Sequence, residues 1–139
     1  MRRTLVVVVA TAAAAIAGIA VASAAVSSTR TTTVPVQLRE YKVIVSKPSA
    51  PTGKVTFVIT NTGKKSHEFV VIKTPKPASQ LLKPGGKRAE ETGTVDEVEN
   101  VPPGTTKTLT LTLGKSHYAL LCNRPGHYAR GQYSNFVVG

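Results

Sequence analysis

An alternating run of residues decides the fold of this chain: Thr108-Leu109-Thr110-Leu111-Thr112-Leu113. Because side chains along a β-strand point alternately to opposite faces, the three leucines share one face and the three threonines share the other. The pattern predicts a strand with one side in a hydrophobic core and the other in water. A helix is disfavoured, since the apolar residues recur at every second position rather than at intervals of three and four.

The same period of two recurs through the rest of the chain. In the run Lys54–Thr60 it places Val55, Phe57 and Ile59 on one face. Further strands are predicted at Val36–Val45, His67–Lys73, His117–Cys122 and Tyr133–Val138. Six or more short strands, separated by glycine and proline turns and without a βαβ pattern, predict an all-β fold, a Greek-key two-sheet β-sandwich with antiparallel strands.

One long stretch lacks this alternation. Residues Thr74–Asn100 carry most of the acidic side chains and show no period of two. We therefore predict irregular structure here, with a single helical turn within Ala78–Lys83.

The N-terminus has the features of an export signal. Arg2 and Arg3 precede a long uncharged apolar run, and Ala22-Ser23-Ala24 offers a cleavage site made of small residues. This order of charge, apolar run and small residues is typical of a secretory signal peptide, which we place at residues 1–24.

The rest of the chain is then one domain behind a spacer. The polar residues 25–33 predict a flexible spacer, and residues 34–139 a single folded domain. The alternative to cleavage is an uncleaved membrane anchor reaching to about residue 28, since the run 5–28 is long enough to cross a bilayer. In both cases the domain is exported and lies in the periplasm, outside the cell or on the outer face of the cytoplasmic membrane.

The composition limits the class of partner. The 139 residues include 18 Lys and Arg against 7 Asp and Glu, a net charge of +11 that becomes +9 without Arg2 and Arg3. Such a charge favours an anionic surface or an acidic protein as partner. Nucleic acid is not expected, because the protein is predicted to be exported, is only 5% aromatic and has no basic helix. We expect a monomer.

A loop rich in potential metal ligands follows the predicted strand His117–Cys122: Cys122-Asn123-Arg124-Pro125-Gly126-His127-Tyr128-Ala129-Arg130-Gly131-Gln132. Cys122 shares a strand face with the apolar residues two and four positions before it, so its thiol is predicted to point into the sandwich. The Pro125-Gly126 turn can bring His127 back toward the sulfur. His67 begins a strand after the Gly63 turn and can approach from a neighbouring sheet edge.

One thiolate, two imidazoles and one weak neutral donor form the ligand set of a blue copper electron-transfer site. The candidates here are Cys122, His67, His127 and Gln132. Two other readings stay open: the lone cysteine as a small buried hydrophobe, and the Gln132 amide as a cap for backbone groups. His117 falls on the opposite face of its strand and is expected in solvent, away from the site.

From about Val34 to Gly139 the sequence resembles the cupredoxins, the small blue copper proteins of the plastocyanin and azurin type. The string from His127 to Gln132 is similar to the His-Tyr-Ala-Ala-Gly-Met ending of bacterial members, with glutamine replacing methionine. The resemblance implies one mononuclear type 1 copper held by His67, Cys122 and His127. It also implies an axial Gln132, as in stellacyanin-like relatives, and a lower reduction potential than methionine gives. Glu68 departs from the asparagine that usually ties the ligand loops together.

These observations predict an exported copper protein that carries single electrons and is not an enzyme. Three histidines are too few for an additional trinuclear copper cluster within one chain. The alternatives are a copper carrier or buffer that delivers the metal to an extracytoplasmic oxidase, and a metal-free interaction module on the same fold. Four basic residues flank the two ligand histidines: Lys64, Lys65, Arg124 and Arg130. They are expected to dock an acidic redox protein or a membrane oxidase or reductase; the alternative is that they belong to a generally solvated basic surface.

Overall fold

The computed structural model describes residues 30–139, and this part of the chain is all β. It contains nine strands and two single turns of 3₁₀ helix, the latter at Ala78–Gln80 and Tyr128–Arg130. The strands are β1 (Thr32–Arg39), β2 (Lys42–Val45), β3 (Ser49–Ala50), β4 (Gly53–Asn61), β5 (His67–Lys73), β6 (Thr94–Val101), β7 (Thr106–Leu113), β8 (Ser116–Leu121) and β9 (Tyr133–Val138). The predicted signal peptide, and the spacer up to residue 29, lie outside the described residues. Within residues 30–139, no helix has the length and apolar character that crossing a bilayer requires.

The strands form two sheets that share one core. The four-stranded sheet has the order β2-β1-β4-β7, and the five-stranded sheet has the order β3-β9-β8-β5-β6. The predicted two-sheet β-sandwich is thus confirmed. The expectation of purely antiparallel strands was wrong, because β1–β4 and β3–β9 are parallel pairs. After β2 the chain visits the second sheet as β3 before it returns as β4, so β1 and β4 are not joined by a hairpin.

The period of two accounts for the core between the sheets. Val55, Phe57 and Ile59 of β4 are fully buried, as predicted. The ring of Phe57 lies 5.3 Å from that of Phe69 and 5.4 Å from that of Phe136, which connects the four-stranded sheet to the five-stranded one. Pairs of aromatic rings at such distances add to the free energy gained by burying their surface.

The Leu/Thr run forms β7 as the alternation predicts. Leu113 is buried, and Leu109 and Leu111 pack against the core from its margin. On the outer face, the hydroxyls of Thr56 and Thr110 lie 2.8 Å apart across the β4–β7 pair. Cross-strand threonine hydrogen bonds of this kind stabilise the exposed side of a sheet.

Strand β6 lies in the stretch that was predicted to be irregular. It pairs with β5 alone, at the edge of the five-stranded sheet, and seven of its eight residues are exposed or half-exposed. Only Val98 and Val101 of this strand contact the core, so no buried face imposes an alternation on its sequence. Its acidic side chains, among them Asp96, Glu97 and Glu99, protect an open sheet edge from pairing with other chains.

The segment between β5 and β6 covers the outer face of the five-stranded sheet. Ala78, Leu81 and Ala89 of this segment form a second apolar cluster with Ile72 and Tyr128. This covering explains why β5 and β8 are buried on both faces. It also gives the loop after β8 a rigid surface to pack against.

Candidate metal centre

Two adjacent strands bring His67 and Cys122 together. Strands β5 and β8 are antiparallel neighbours with Val70 opposite Leu121, so the start of β5 lies beside the end of β8. His67 is the first residue of β5, and Cys122 follows the last residue of β8. Both side chains are fully buried.

The turn after Cys122 returns His127 to the sulfur. Gly126 has φ of 80°, a left-handed conformation that favours glycine, and the His127 N–H donates to the Arg124 carbonyl at 2.9 Å. These features confirm the predicted Pro125-Gly126 turn. They place the His127 ring, which is half-buried, next to Cys122.

Tyr128 anchors the loop on the other side. Its hydroxyl donates to the Ala78 carbonyl at 2.6 Å and accepts from the Leu81 N–H at 2.8 Å. Because Tyr128 is buried and doubly hydrogen-bonded, the neighbouring His127 backbone has little freedom to move. A glycine then turns the chain inward, since Gly131 has φ of 101° and is followed by the buried Gln132.

The donor atoms of three side chains converge on one point. Nδ1 of His67 lies 3.2 Å from Nδ1 of His127, and the Cys122 Sγ lies 3.8 Å and 3.4 Å from the two nitrogens. A triangle with these edges has a point about 2.0 Å from every corner, close to the length of bonds from a metal to imidazole nitrogen and thiolate sulfur. The residues therefore fit a single metal ion without rearrangement.

Gln132 contributes a fourth group at the same place. Its side-chain Nε2 lies 3.0 Å from Nδ1 of His67, and its buried Oε1 has no hydrogen-bond partner among the described residues. Because the amide nitrogen and oxygen exchange places on a 180° rotation, the oxygen can face the three donors. An unpartnered buried carbonyl oxygen is suited to act as a weak metal ligand.

Burial sets the protonation of the three candidate ligands. It lowers the pKa of His67, and likewise the pKa of His127, because a buried imidazolium loses its hydration. Burial also raises the pKa of the Cys122 thiol, although the Glu68 N–H, 3.4 Å from the sulfur, favours the thiolate. The imidazoles are thus neutral and available, and the thiol must release its proton when a metal binds.

The contact at Glu68 bears on the departure noted in the sequence. The N–H that approaches the sulfur belongs to the main chain, so it joins the two ligand segments whatever side chain stands at this position. The Glu68 carboxyl is half-buried, and burial raises its pKa.

Two buried asparagines brace the ligand segments. Asn61 donates from Nδ2 to the carbonyls of Lys65 and Val101, both at 2.7 Å, and so fixes the turn before His67. Asn123 accepts from the Ala89 N–H at 2.7 Å and donates to the Ala89 carbonyl at 3.1 Å, which ties the cysteine end of the loop to the covering segment. Asn61 lies two residues before the Gly63 of the predicted turn, whereas the bracing role of Asn123 was missed because its partners are remote in the chain.

His117 lies away from the centre, but it is not in solvent as expected. It is half-buried, with Nδ1 2.7 Å from the Thr74 carbonyl and Nε2 2.9 Å from the Asn135 side-chain oxygen. The prediction of exposure was wrong because the covering segment lies over this face of β8. Its two ring nitrogens thus face oxygen atoms of the fold and not the centre.

A basic depression borders the exposed edge of His127. It has a volume of about 440 Å³, and its lining includes Lys65, Lys87 and Arg130. Lys64 and Arg124 are not part of the lining, although the charge of Arg124 contributes to lowering the pKa of both ligand histidines. Lys87 was missed in the sequence, because the irregular segment that carries it gives no sign of folding toward His127.

Fold and site together define a two-sheet β-sandwich with one buried sulfur–nitrogen centre at the end of the sandwich. The sequence profile of the Cupredoxin-like domain family matches residues 9–133, and the chain belongs to this family. The family predicted from the sequence is thereby confirmed. A comparison with curated proteins gave no match.

Solved structures with the same fold include an auracyanin and two rusticyanins. A dithionite-reduced auracyanin from the photosynthetic bacterium Roseiflexus castenholzii is 24% identical, with 78% of this chain and 97% of that chain covered and a TM-score of 0.58. Rusticyanin from Thiobacillus ferrooxidans is 19% identical, with 78% and 77% covered and a TM-score of 0.63. A rusticyanin variant with glutamine in place of a methionine is 21% identical, with 78% of each chain covered and a TM-score of 0.59. At these identities the likeness concerns the fold.

Proposed function

We propose that this protein is a mononuclear copper electron carrier that works outside the cytoplasm and is not an enzyme. The observation that carries the proposal is the convergence of two imidazole nitrogens and one thiol sulfur within 3.8 Å of one another in a buried site. A bound copper ion supplies a one-electron couple between Cu(II) and Cu(I). A single soft sulfur with two imidazoles suits both oxidation states.

The surrounding residues hold the ligands in place through a change of charge. His67 is fixed by β5 and Cys122 by β8, and Tyr128 anchors the loop that carries His127. Ligands on rigid elements move little when the charge of the ion changes, and this favours fast electron transfer. Of the three, only His127 reaches the surface, so we assign it as the exit for the electron.

The neighbours support an electron-transfer function. Auracyanin was solved in a reduced state, rusticyanin was also solved reduced, and rusticyanin is a copper protein. Those properties belong to the neighbours. They agree with the one-electron chemistry that the sulfur and the two imidazoles of this chain would support.

The proposed location and domain organisation follow from the N-terminal sequence. We assign residues 1–24 as a signal peptide, 25–33 as a spacer and 34–139 as the copper domain, acting as a monomer in the periplasm, outside the cell or on the outer face of the cytoplasmic membrane. Retention of residues 5–28 as an anchor is the alternative. The mass of the mature protein after export distinguishes the two.

Protein-film voltammetry on the copper-loaded protein tests the proposed function. An electron carrier is expected to give a reversible wave for one electron per chain. A protein that holds Cu(I) without colour and gives no reversible wave is a copper carrier or buffer instead. A protein that binds no copper is an interaction module on the same fold.

Replacing Gln132 by methionine is expected to raise the reduction potential. An amide oxygen stabilises Cu(II) better than a thioether does. If the substitution lowers the affinity for Cu(II) relative to that for Cu(I) a hundredfold, the reduction potential rises by roughly 120 mV for one electron. Methionine has a similar volume, so the fold should tolerate the change. Potentiometric titration of both proteins measures the shift.

The matched control is Gln37→Met, at an exposed glutamine of β1 in the four-stranded sheet. Its potential should equal that of the wild type. If Gln132→Met also leaves the potential unchanged, Gln132 is not an axial ligand.

We further propose that the basic residues beside His127 dock an acidic redox protein or the acidic face of a membrane oxidase or reductase. The double variant Arg124→Glu and Arg130→Glu is expected to slow reduction by ferrocyanide, a multiply charged anion, by tenfold or more at low salt. The difference in reduction rate between the wild type and the double variant should disappear near 1 M salt, where charges are screened within about 3 Å. Stopped-flow absorbance measures both rates.

Reversing two basic residues at the other end of the sandwich provides the control. Lys54 and Lys115 are exposed near the start of β4 and the end of β7, so Lys54→Glu with Lys115→Glu makes the same change in net charge far from the centre. Equal slowing by the two double variants would refute local steering.

A further inference from the structure

A carboxylate lies behind the buried ligand His67. Glu40, in the turn between β1 and β2, places Oε1 3.3 Å from Nε2 of the His67 ring. The opposite nitrogen of this ring, Nδ1, is the one that faces Cys122 and His127. The ring is thus located between the three-donor cluster and a carboxyl group that is only 26% exposed.

The main chain before His67 holds this carboxylate in place. Oε1 of Glu40 accepts the N–H of Lys64 at 2.8 Å and the N–H of Lys65 at 2.6 Å. These bonds, with that of Lys65 the larger cause, lower the pKa of Glu40 to about 2. The group is therefore an anion in neutral solution.

Gly63 leaves the space that the carboxylate fills. A Cβ atom at this glycine would lie 2.6 Å from Oε1 and 2.8 Å from Oε2 of Glu40, well inside contact distance. The backbone of Gly63 does not need a left-handed conformation, so the missing side chain is explained by the close approach of Glu40.

Nε2 of His67 depends on this anion. The nitrogen is buried and makes no hydrogen bond of good geometry with any described residue, and the Glu40 carboxylate is the acceptor within reach. In metal sites, a ligand histidine commonly donates its second ring N–H to a carboxylate, which fixes the tautomer and raises the basicity of the ligating nitrogen.

We propose that Glu40 is a positioning residue of the metal centre: its carboxylate holds His67 as the Nε2–H tautomer, so that the lone pair of Nδ1 faces the ion. The inference rests on the proposed function, because it assigns His67 as a ligand. By accepting the Nε2–H, the carboxylate makes Nδ1 a stronger electron donor. A stronger donor stabilises Cu(II) more than Cu(I), so Glu40 also lowers the reduction potential.

Two variants alter the contact in different ways. Glu40→Gln keeps the size of the side chain and an oxygen for the Lys64 and Lys65 N–H groups, but it removes the charge. Gly63→Ala keeps every charge, but the added Cβ displaces the Glu40 carboxylate from its position beside His67. Glu90→Gln is the matched control, because it removes one carboxylate charge at the opposite end of β5 from His67, where Glu90 lies beside Lys73 and Lys76.

The first measurement uses the copper-loaded proteins. Glu40→Gln should shift the balance of Cu(II) and Cu(I) affinities by at least tenfold, which corresponds to a rise in potential of about 59 mV or more. Gly63→Ala should shift it in the same direction. Glu90→Gln should shift it by clearly less, since its carboxylate lies far from the three donor atoms.

The second measurement needs no metal. Nitrogen NMR of the metal-free protein, at a pH where the ring is neutral, should show His67 as the Nε2–H tautomer in the wild type and in Glu90→Gln. In Gly63→Ala, which displaces the carboxylate, a mixture of tautomers is expected. Glu40→Gln leaves a neutral, weaker acceptor beside Nε2, so it should change the tautomer balance less. A role limited to bracing the β1–β2 turn would lower the melting temperature of these variants and leave the tautomer unchanged.

The outcomes separate the two proposals. If the wild type shows no copper couple, the proposed function fails, and the tautomer data still test the contact between Glu40 and His67. If the wild type shows a reversible couple while Glu40→Gln and Gly63→Ala keep both its potential and its tautomer, Glu40 is no positioning residue. If Glu40→Gln does not fold, Gly63→Ala decides.

Discussion

Replacing Cys122 by serine is expected to abolish the intense visible band between thiolate and copper in the copper-loaded protein. The band requires a sulfur bound to Cu(II), and the only other sulfur in the chain is that of Met1. The buried pocket can accept the hydroxyl, because the Glu68 N–H lies 3.4 Å from the sulfur and can donate to an oxygen instead. The variant should fold and lose the colour completely. Absorption spectra of both proteins, loaded with one equivalent of copper, measure the effect.

The control for this prediction is the histidine outside the centre. His117→Gln removes a potential metal ligand that the structure places in hydrogen bonds to Thr74 and Asn135. Its band should match that of the wild type. A band that survives in Cys122→Ser, or disappears in His117→Gln, would show that the metal binds elsewhere.

Copper is expected to raise the melting temperature by roughly 15 °C or more. A ligand that binds only the folded state stabilises it by about 4 kcal/mol when its concentration is a thousand times the dissociation constant. For a domain of about 100 residues, each kcal/mol moves the midpoint by roughly 4–8 °C. The physical cause is local, since the metal gives partners to buried groups such as the Gln132 amide oxygen, which has none among the described residues. Calorimetry with and without copper measures the difference.

His127→Ala should lose most of the increase in melting temperature that copper gives. His117→Gln should lower the melting temperature both with and without copper and leave the difference between them unchanged. The comparison separates a ligand from a histidine that only stabilises the fold. Equal melting temperatures with and without copper in the wild type would favour a metal-free interaction module.

The sequence predicted those parts of the fold that depend on alternation. The leucines of β7 and the residues Val55, Phe57 and Ile59 of β4 face the core because the period of two leaves them no other side. Strand β6 could not be predicted in the same way, because an exposed edge strand does not alternate. The parallel pair β1–β4 was also missed, since its register depends on a crossover between sheets rather than on a local turn.

The same division holds at the centre. Cys122 and His127 lie five positions apart around a recognisable turn, so their approach was predictable from the local sequence. The contact between His67 and the Glu40 carboxylate joins segments 27 positions apart and carries no local pattern. Gly63 is the residue that reflects this contact in the sequence, because a side chain there would collide with the Glu40 carboxylate. From the sequence alone it is indistinguishable from an ordinary turn glycine.

Diffraction from crystals of the copper-loaded protein, recorded at the copper absorption edge, tests the central claim most directly. We expect one anomalous peak per chain, located within bonding distance of Nδ1 of His67, Sγ of Cys122 and Nδ1 of His127. A peak that lies at any other group, or one that touches fewer than two of these three atoms, would contradict the proposed centre.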